Sequence, residues 1–180
     1  MHKRGFTLVE IIVAVGLFAM VVVMAVSTLL VISNGNRRAQ VSRQVLDNVD
    51  FILDDMIREI RLGKNFHCGA GNPSVASECL AGGSSFAFTR LDSNEVVIYD
   101  TALVNGKTVI RKQVGITGTP QVLTSEAVNI PLLTFTVSGS IANDKKFPKV
   151  SVNLTAEIMD KGDMSSVSFQ TTIAQRASDN

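Results

Sequence analysis

The residue that most clearly requires a chemical explanation is Glu10, a carboxylate inside an otherwise apolar run. From Phe6 to Ile32 the other polar residues are Thr7, Ser27 and Thr28. A charge in an apolar packing zone needs a partner, because leaving it unpaired is costly. A local explanation also exists, since the stretch from Thr7 to Glu10 fits the capping-box pattern and an acid suits the first turn of a helix. Glu10 is therefore predicted to cap its own helix, to pair with another chain, or to do both in turn.

The two cysteines, Cys68 and Cys79, form the next candidate pair. In a domain carried across a membrane a disulfide is favoured over free thiols, and closing so short a loop contributes roughly 2–3 kcal/mol. A metal site with the adjacent His67 is short of ligands, because His2 is the only other histidine. We therefore expect a disulfide, and we predict neither a metal nor a cofactor.

The remaining acidic residues and the histidine do not form a recognisable catalytic set. With His67 as the single histidine of the main domain, no Ser-His-Asp arrangement is evident. Asp54, Asp55 and Glu59 are expected on a solvated helix face. The segment 160–163 offers too few oxygen ligands for calcium and is typical of a hairpin turn. No glycine-rich phosphate loop follows a strand. The sequence thus predicts that the protein is not an enzyme.

The charge balance gives no indication of nucleic-acid binding. The chain carries 17 Lys and Arg residues against 16 Asp and Glu residues, for a net charge of +1. Binding to phosphates needs a basic surplus, which this composition lacks. The pairs Arg111-Lys112 and Lys145-Lys146 are expected to form at most small local basic patches.

The apolar run from Phe6 to Ile32 exceeds the roughly 20 residues that a helix needs to span a bilayer. A secretory signal explains it poorly, because the run is too long and the best cleavage candidate, Ala25-Val26-Ser27, lies inside it. A plain membrane anchor fits the length, although basic residues on both sides leave its orientation open. Neither interpretation accounts for the residues that begin the segment.

The stretch from Arg4 to Glu10 resembles the type IV prepilin signature, which has a basic leader, Gly-Phe, and then Thr-Leu-x-Glu. The resemblance implies that a membrane-embedded prepilin peptidase cuts between Gly5 and Phe6 on the cytoplasmic side and methylates the new amino terminus. It also implies that Glu10 attracts the free amine of a neighbouring subunit as the helices assemble. The implied location is the inner membrane, with a single span and the head outside the cytoplasm.

Two further features point toward a minor subunit. Major pilins usually carry a proline well into the apolar segment, whereas this chain has none before Pro73. The stretch from Phe51 to Arg61 looks like the helix end of J-type minor pseudopilins and W-type minor pilins. The carboxyl-terminal part of the sequence is also similar to these proteins. There Pro148-Lys149-Val150 opens a strand, and Phe169-Gln170-Thr171-Thr172 precedes Arg176.

The apolar pattern predicts one long helix, followed by strands. An apolar stripe at helical spacing indicates a helix from about Phe6 to Leu62 that ends at Gly63; its residues are Val41, Val45, Val49, Ile52, Met56 and Ile60. A loop rich in Gly and Ser is expected between the cysteines. Seven strands are then predicted, at 86–91, 95–99, 103–104, 108–112, 132–137, 149–158 and 165–173. The turn Asn105-Gly106 joins the third to the fourth, and a loop is expected over 115–131.

These observations predict an α+β protein with the pilin fold, in which a long amino-terminal helix packs on an antiparallel β-sheet. The expected organisation is a leader at 1–5, a transmembrane and assembly helix at 6–33, its amphipathic continuation at 34–63, and a β-rich head at 64–180. The predicted function is that of a minor pilin or pseudopilin with a structural and assembly-priming role. Its partners would be other pilins, bound through the helix. The alternative is a single-pass ectodomain that binds a partner without polymerising.

Overall fold

The computed structural model describes residues 7–141, 146–160 and 163–176. The chain divides into two compact units, Met1–Gln40 and Val41–Asn180. The described residues form one helix, α1 (Leu8–Arg61), and nine strands: β1 (Gly63–Cys68), β2 (Cys79–Gly83), β3 (Phe86–Arg90), β4 (Val96–Val104), β5 (Lys107–Val114), β6 (Gln121–Val122), β7 (Val128–Ser138), β8 (Lys149–Asp160) and β9 (Asp163–Ala174).

The predicted long helix is confirmed in the described part of the chain. Its last turn contains Arg58 and Arg61, whose positive charges suit the negative end of the helix dipole. The backbone N–H of Leu62 donates to the carbonyl of Glu59 at 3.1 Å, which tightens the final turn. The helix therefore ends one residue before the predicted position.

Gly63 has a different role from the one that the sequence suggests. It begins β1 rather than capping the helix in a left-handed conformation. A Cβ atom added there would clash with the ring of Phe88, which is itself fully buried. Glycine is therefore required because β3 approaches the backbone closely at this point.

The strands form two antiparallel sheets instead of the single sheet expected. Sheet A has five strands in the order β1-β3-β4-β5-β6, and sheet B has four in the order β2-β7-β8-β9. The strands at 86–90, 149–160 and 163–174 agree closely with the prediction. At the predicted Asn105-Gly106 turn, Val104 pairs with Lys107 and both turn residues have positive φ, as a two-residue hairpin requires.

Three of the observed strands were not predicted from the sequence. β1 and β2 flank the disulfide loop, and the two-residue β6 lies within the predicted loop at 115–131. In β7, a register irregularity between Asn129 and Leu132 allows the strand to pass Pro131, which cannot donate a ladder hydrogen bond. The strand consequently starts at Val128, earlier than the proline suggests.

The core of the unit Val41–Asn180 lies between the amphipathic part of α1 and the sheets. The predicted stripe is buried from Val45 to Ile60, with Val41 half-buried at its start. On β8 the predicted alternation holds, since every second residue from Val150 to Ile158 is buried. The α+β class and the pilin-like arrangement of helix and antiparallel sheets are confirmed.

Candidate functional site

The first candidate site is the start of α1, where Thr7 caps the helix. The backbone N–H of Glu10 donates to Oγ1 of Thr7 at 3.3 Å, and the N–H of Ile11 donates to the Thr7 carbonyl, also at 3.3 Å. This is the N-cap arrangement that the sequence predicts. Gly5 and Phe6, the predicted cleavage junction, lie outside the described residues.

Glu10 lies exposed in the first turn of α1. At ~1.5 Å of rise per residue, Glu10 lies about 3 Å along the axis from Leu8, the first residue of the helix. The positive end of the helix dipole favours a carboxylate here. The first turn thus combines a capped backbone with an acidic side chain that is available to a cation on another molecule.

Between Glu10 and Ser27 the surface of α1 is apolar on all sides. Large apolar side chains from Leu8 to Ile32 are exposed, and an 18-residue window of the helix has a mean hydropathy of 2.8. In the described residues this is the one helix long and apolar enough to cross a membrane. A helix with no polar face indicates a lipid environment or other helices around it.

The hydroxyl groups within this apolar stretch are satisfied inside the helix. Ser27 Oγ donates to the Val23 carbonyl at 2.8 Å, and Thr28 Oγ1 donates to the Met24 carbonyl at 3.0 Å. Such bonds to the preceding turn remove the cost of placing hydroxyls in an apolar environment. The helix continues through this region without a break.

A second group of functional side chains, missed by the sequence interpretation, joins the end of α1 to sheet A. Lys112 Nζ lies 2.8 Å from Asp55 Oδ2 and 3.0 Å from Glu59 Oε2. The Tyr99 hydroxyl donates to Glu59 Oε2 at 3.1 Å, and Arg90 pairs with Glu59 Oε1. The expectation that Asp55 and Glu59 are solvated is therefore wrong, because their carboxylates meet partners from three strands.

The charged and polar side chains of this cluster have the electrostatics of a contact that stabilises the fold. Burial raises the pKa of Tyr99, and the nearby carboxylates of Glu59 and Asp55 raise it further. Tyr99 is consequently a neutral hydrogen-bond donor. The two carboxylates face two cations, Arg90 and Lys112, and Arg90 also lies 4.0 Å from the carboxylate of Glu95. Asp54, in contrast, is exposed as predicted.

Arg111 and Lys112 do not form the basic patch that the sequence predicts, because both side chains pair with carboxylates. The Arg111 guanidinium donates to both carboxylate oxygens of Asp100, at 2.9 and 2.7 Å, and this bonding raises the pKa of Arg111. Lys112 belongs to the Asp55–Glu59 cluster. In the other predicted patch, Lys145-Lys146, Lys145 lies outside the described residues.

The structure contains the disulfide that the sequence predicts, between Cys68 and Cys79. It ties the end of β1 to the start of β2, and so links sheet A to sheet B. The neighbouring His67 is buried and donates from Nδ1 to the Val75 carbonyl at 2.7 Å. Its Nε2 has no hydrogen-bond partner in the described part of the chain, where no group of three metal-ligating side chains occurs.

Comparison with known proteins connects the start of the chain to a family. Residues 1–32 match the family model described as the prokaryotic N-terminal methylation motif. No curated protein and no solved structure shows significant similarity to the chain. The match covers the stretch that resembles the prepilin signature and the apolar part of α1, and it supports a type IV prepilin-like protein anchored in a membrane.

Proposed function

We propose that the chain is a minor pilin or pseudopilin, a subunit of a type IV pilus or type II secretion filament. The observation that carries this proposal is a prepilin-type amino terminus, matched over residues 1–32, on a helix whose apolar surface is exposed from Leu8 to Ile32. Such a surface is satisfied by lipid before assembly and by neighbouring helices afterwards. The role is structural and assembly-priming.

In this proposal a prepilin peptidase cuts between Gly5 and Phe6 and methylates the amine of Phe6. The leader stays in the cytoplasm, α1 anchors the chain in the inner membrane, and the head lies on the far side. The Cys68–Cys79 disulfide supports that placement, because disulfides persist in oxidising compartments.

Glu10 acts in this proposal as the docking carboxylate. Between packed apolar helices an unpaired charge is costly, so a neighbouring amine that pairs with Glu10 fixes the position of one helix beside the next. Thr7 contributes by capping the backbone, which leaves the Glu10 side chain available. The pairing both attracts the neighbouring subunit and fixes the axial position of its helix.

The helix chemistry supports a minor rather than a major subunit. Where major pilins usually have a proline, this chain has Ser27 and Thr28, whose hydroxyl groups bond to the preceding turn of an unbroken helix. A helix that keeps its hydrogen bonds here has no built-in point of loosening.

The proposal is tested by separating the charge of Glu10 from its capping geometry. Glu10→Leu removes the carboxylate, while the matched control Thr7→Ala removes the cap and keeps the charge. We expect both variants to insert into the membrane, and only Glu10→Leu to lose incorporation into filaments, measured by immunoblotting of sheared filament fractions. Incorporation of Glu10→Leu at the wild-type level would favour a non-polymerising ectodomain instead.

A further inference from the structure

Two β-hairpins of the unit Val41–Asn180 carry exposed apolar side chains at their tips. At the tip that joins β4 to β5, Leu103 is 75% exposed and Val104 is 38% exposed. At the tip that joins β8 to β9, Met159 and Met164 pair across the strands and are 74% and 64% exposed. Single exposed apolar residues are ordinary on a protein surface, whereas groups of them mark contact surfaces. An adjacent pair at each of two tips therefore indicates a contact.

The β8–β9 tip lies beside the part of α1 that enters this unit. Ser42 Oγ is 2.9 Å from the Oγ of Ser165, the residue that follows Met164. Past the other end of β9, the backbone N–H of Arg176 donates to the Arg61 carbonyl at 3.0 Å. α1 and β9 therefore run in the same direction, and the tip lies at the end of the unit where the helix begins.

The β4–β5 tip lies at the same end. Lys107, the first residue of β5, donates from Nζ to carbonyls of the loop before β7. In that loop the backbone N–H of Ser125 donates to Asn48 Oδ1 at 3.4 Å, early in the buried part of the helix. Further along β5, Lys112 pairs with Asp55, which lies later in α1. Both hairpins thus direct their tips toward the end where α1 enters.

This end of the unit is also the one nearest to the apolar run along the chain. Ser42 is ten positions after Ile32, and a continuous helix covers that interval in about 15 Å. A lipid headgroup layer is about 5–8 Å thick on each side of a bilayer, and the β8–β9 tip continues beyond Ser165. The charged residues between Ile32 and Ser42 are Arg37 and Arg38, and basic residues beside a membrane span suit lipid phosphates.

We propose that both tips rest in the headgroup layer of the membrane that holds the apolar run, through Leu103 and Val104 on one hairpin and Met159 and Met164 on the other. Placing apolar side chains in this layer removes them from water, and methionine adapts readily to an irregular surface. The helix and the two tips then support the head at three points. The contact belongs to the anchored chain before any assembly, so it does not depend on the proposed filament role.

The test introduces one tryptophan at a time into a chain that has none. L103W reports on the first tip, while M164W and M159W report independently on the second. F147W is the matched control, because Phe147 is 72% exposed and precedes β8, whose last residues include Met159. Each full chain is reconstituted into phosphatidylcholine–phosphatidylglycerol vesicles, with or without bromine on the acyl chains near the headgroups. Tryptophan fluorescence is measured, with circular dichroism as the check on folding.

Brominated lipid is expected to quench L103W, M159W and M164W roughly twofold and to leave F147W unchanged. Absence of quenching at the tips, or quenching at only one hairpin, would overturn the proposal. Equal quenching of F147W would also overturn it, because the head would then contact lipid without a preferred end. Blue-shifted emission at the tips without quenching would show that protein covers them instead of lipid, and would likewise contradict the proposal.

Discussion

Glu59 occupies the centre of the polar contact between α1 and sheet A. Its two carboxylate oxygens are shared among Arg90, Tyr99 and Lys112, so a single side chain holds the helix against three strands. The neighbouring residues of the buried stripe pack against the core, while the bonds of Glu59 orient the helix on sheet A. At the scale of single residues, this contact holds the end of α1 on sheet A.

Glu59→Gln is expected to destabilise the protein by about 1–3 kcal/mol. The amide keeps the shape but removes the charge, and it leaves Arg90 and Lys112 with less compensation in a partly buried site. Asp54→Asn is the matched control, because Asp54 is exposed on the same helix and should change stability by less than about 0.5 kcal/mol. Urea denaturation followed by circular dichroism measures both, and equal effects would contradict the assigned role of Glu59.

Tyr99 should not ionise in the folded protein at its ordinary pKa of about 10. Burial and the adjacent carboxylates favour the neutral phenol, so its contribution to stability is complete below about pH 10 and declines as the pH rises further. Because Tyr99 is the single tyrosine and the chain has no tryptophan, tyrosinate absorbance reports on this residue alone. We expect the signal to appear only with unfolding; reversible titration near pH 10 in a folded chain would contradict the cluster geometry.

The sequence could indicate the residues of local motifs but not those of the cluster. Thr7 and Glu10 are three positions apart, and their capping bond follows from local helix geometry. Asp55 and Glu59 also lie on one helix face, but their partners Arg90 and Lys112 come from strands far along the chain. Only the sheet topology brings them together, so a solvated face was the natural expectation.

At the scale of elements, the second part of α1 depends on one buried stripe. Ile52 is 2% exposed within the core, while the adjacent Phe51 is 74% exposed. Ile52→Ala should therefore destabilise the protein by about 2–5 kcal/mol through lost burial and a residual cavity. Phe51→Ala should have little effect in thermal denaturation of the full chain, and similar losses for the two variants would show that the stripe is wrongly oriented.

The elements that the sequence predicted are those with long, regular patterns. The helix was recognisable from its stripe, and β8 from the alternation between Val150 and Ile158. The strands β1 and β2 were missed because they are short, irregular and rich in glycine or polar residues. The division into two sheets also could not be predicted, since it depends on the pairing of β1 with β3 and of β2 with β7.

At the scale of the whole molecule, the chain joins an apolar helix surface to an α+β unit in which Arg90, Arg111 and Lys112 pair with carboxylates. The first 32 residues match the methylation motif, and the remaining part of the chain supplies a folded head with a disulfide. The net charge is +1, and Arg111 and Lys112 pair with carboxylates of the same chain, so these two residues do not form a free basic patch.

The most direct test of this account is the amino terminus of the protein recovered from cells that contain a prepilin peptidase. Mass spectrometry of the amino-terminal peptide should show a chain that begins at N-methylated Phe6. The same protein from cells without the peptidase should keep its leader and begin upstream of Gly5. An intact Met1 in the presence of an active prepilin peptidase would contradict the account.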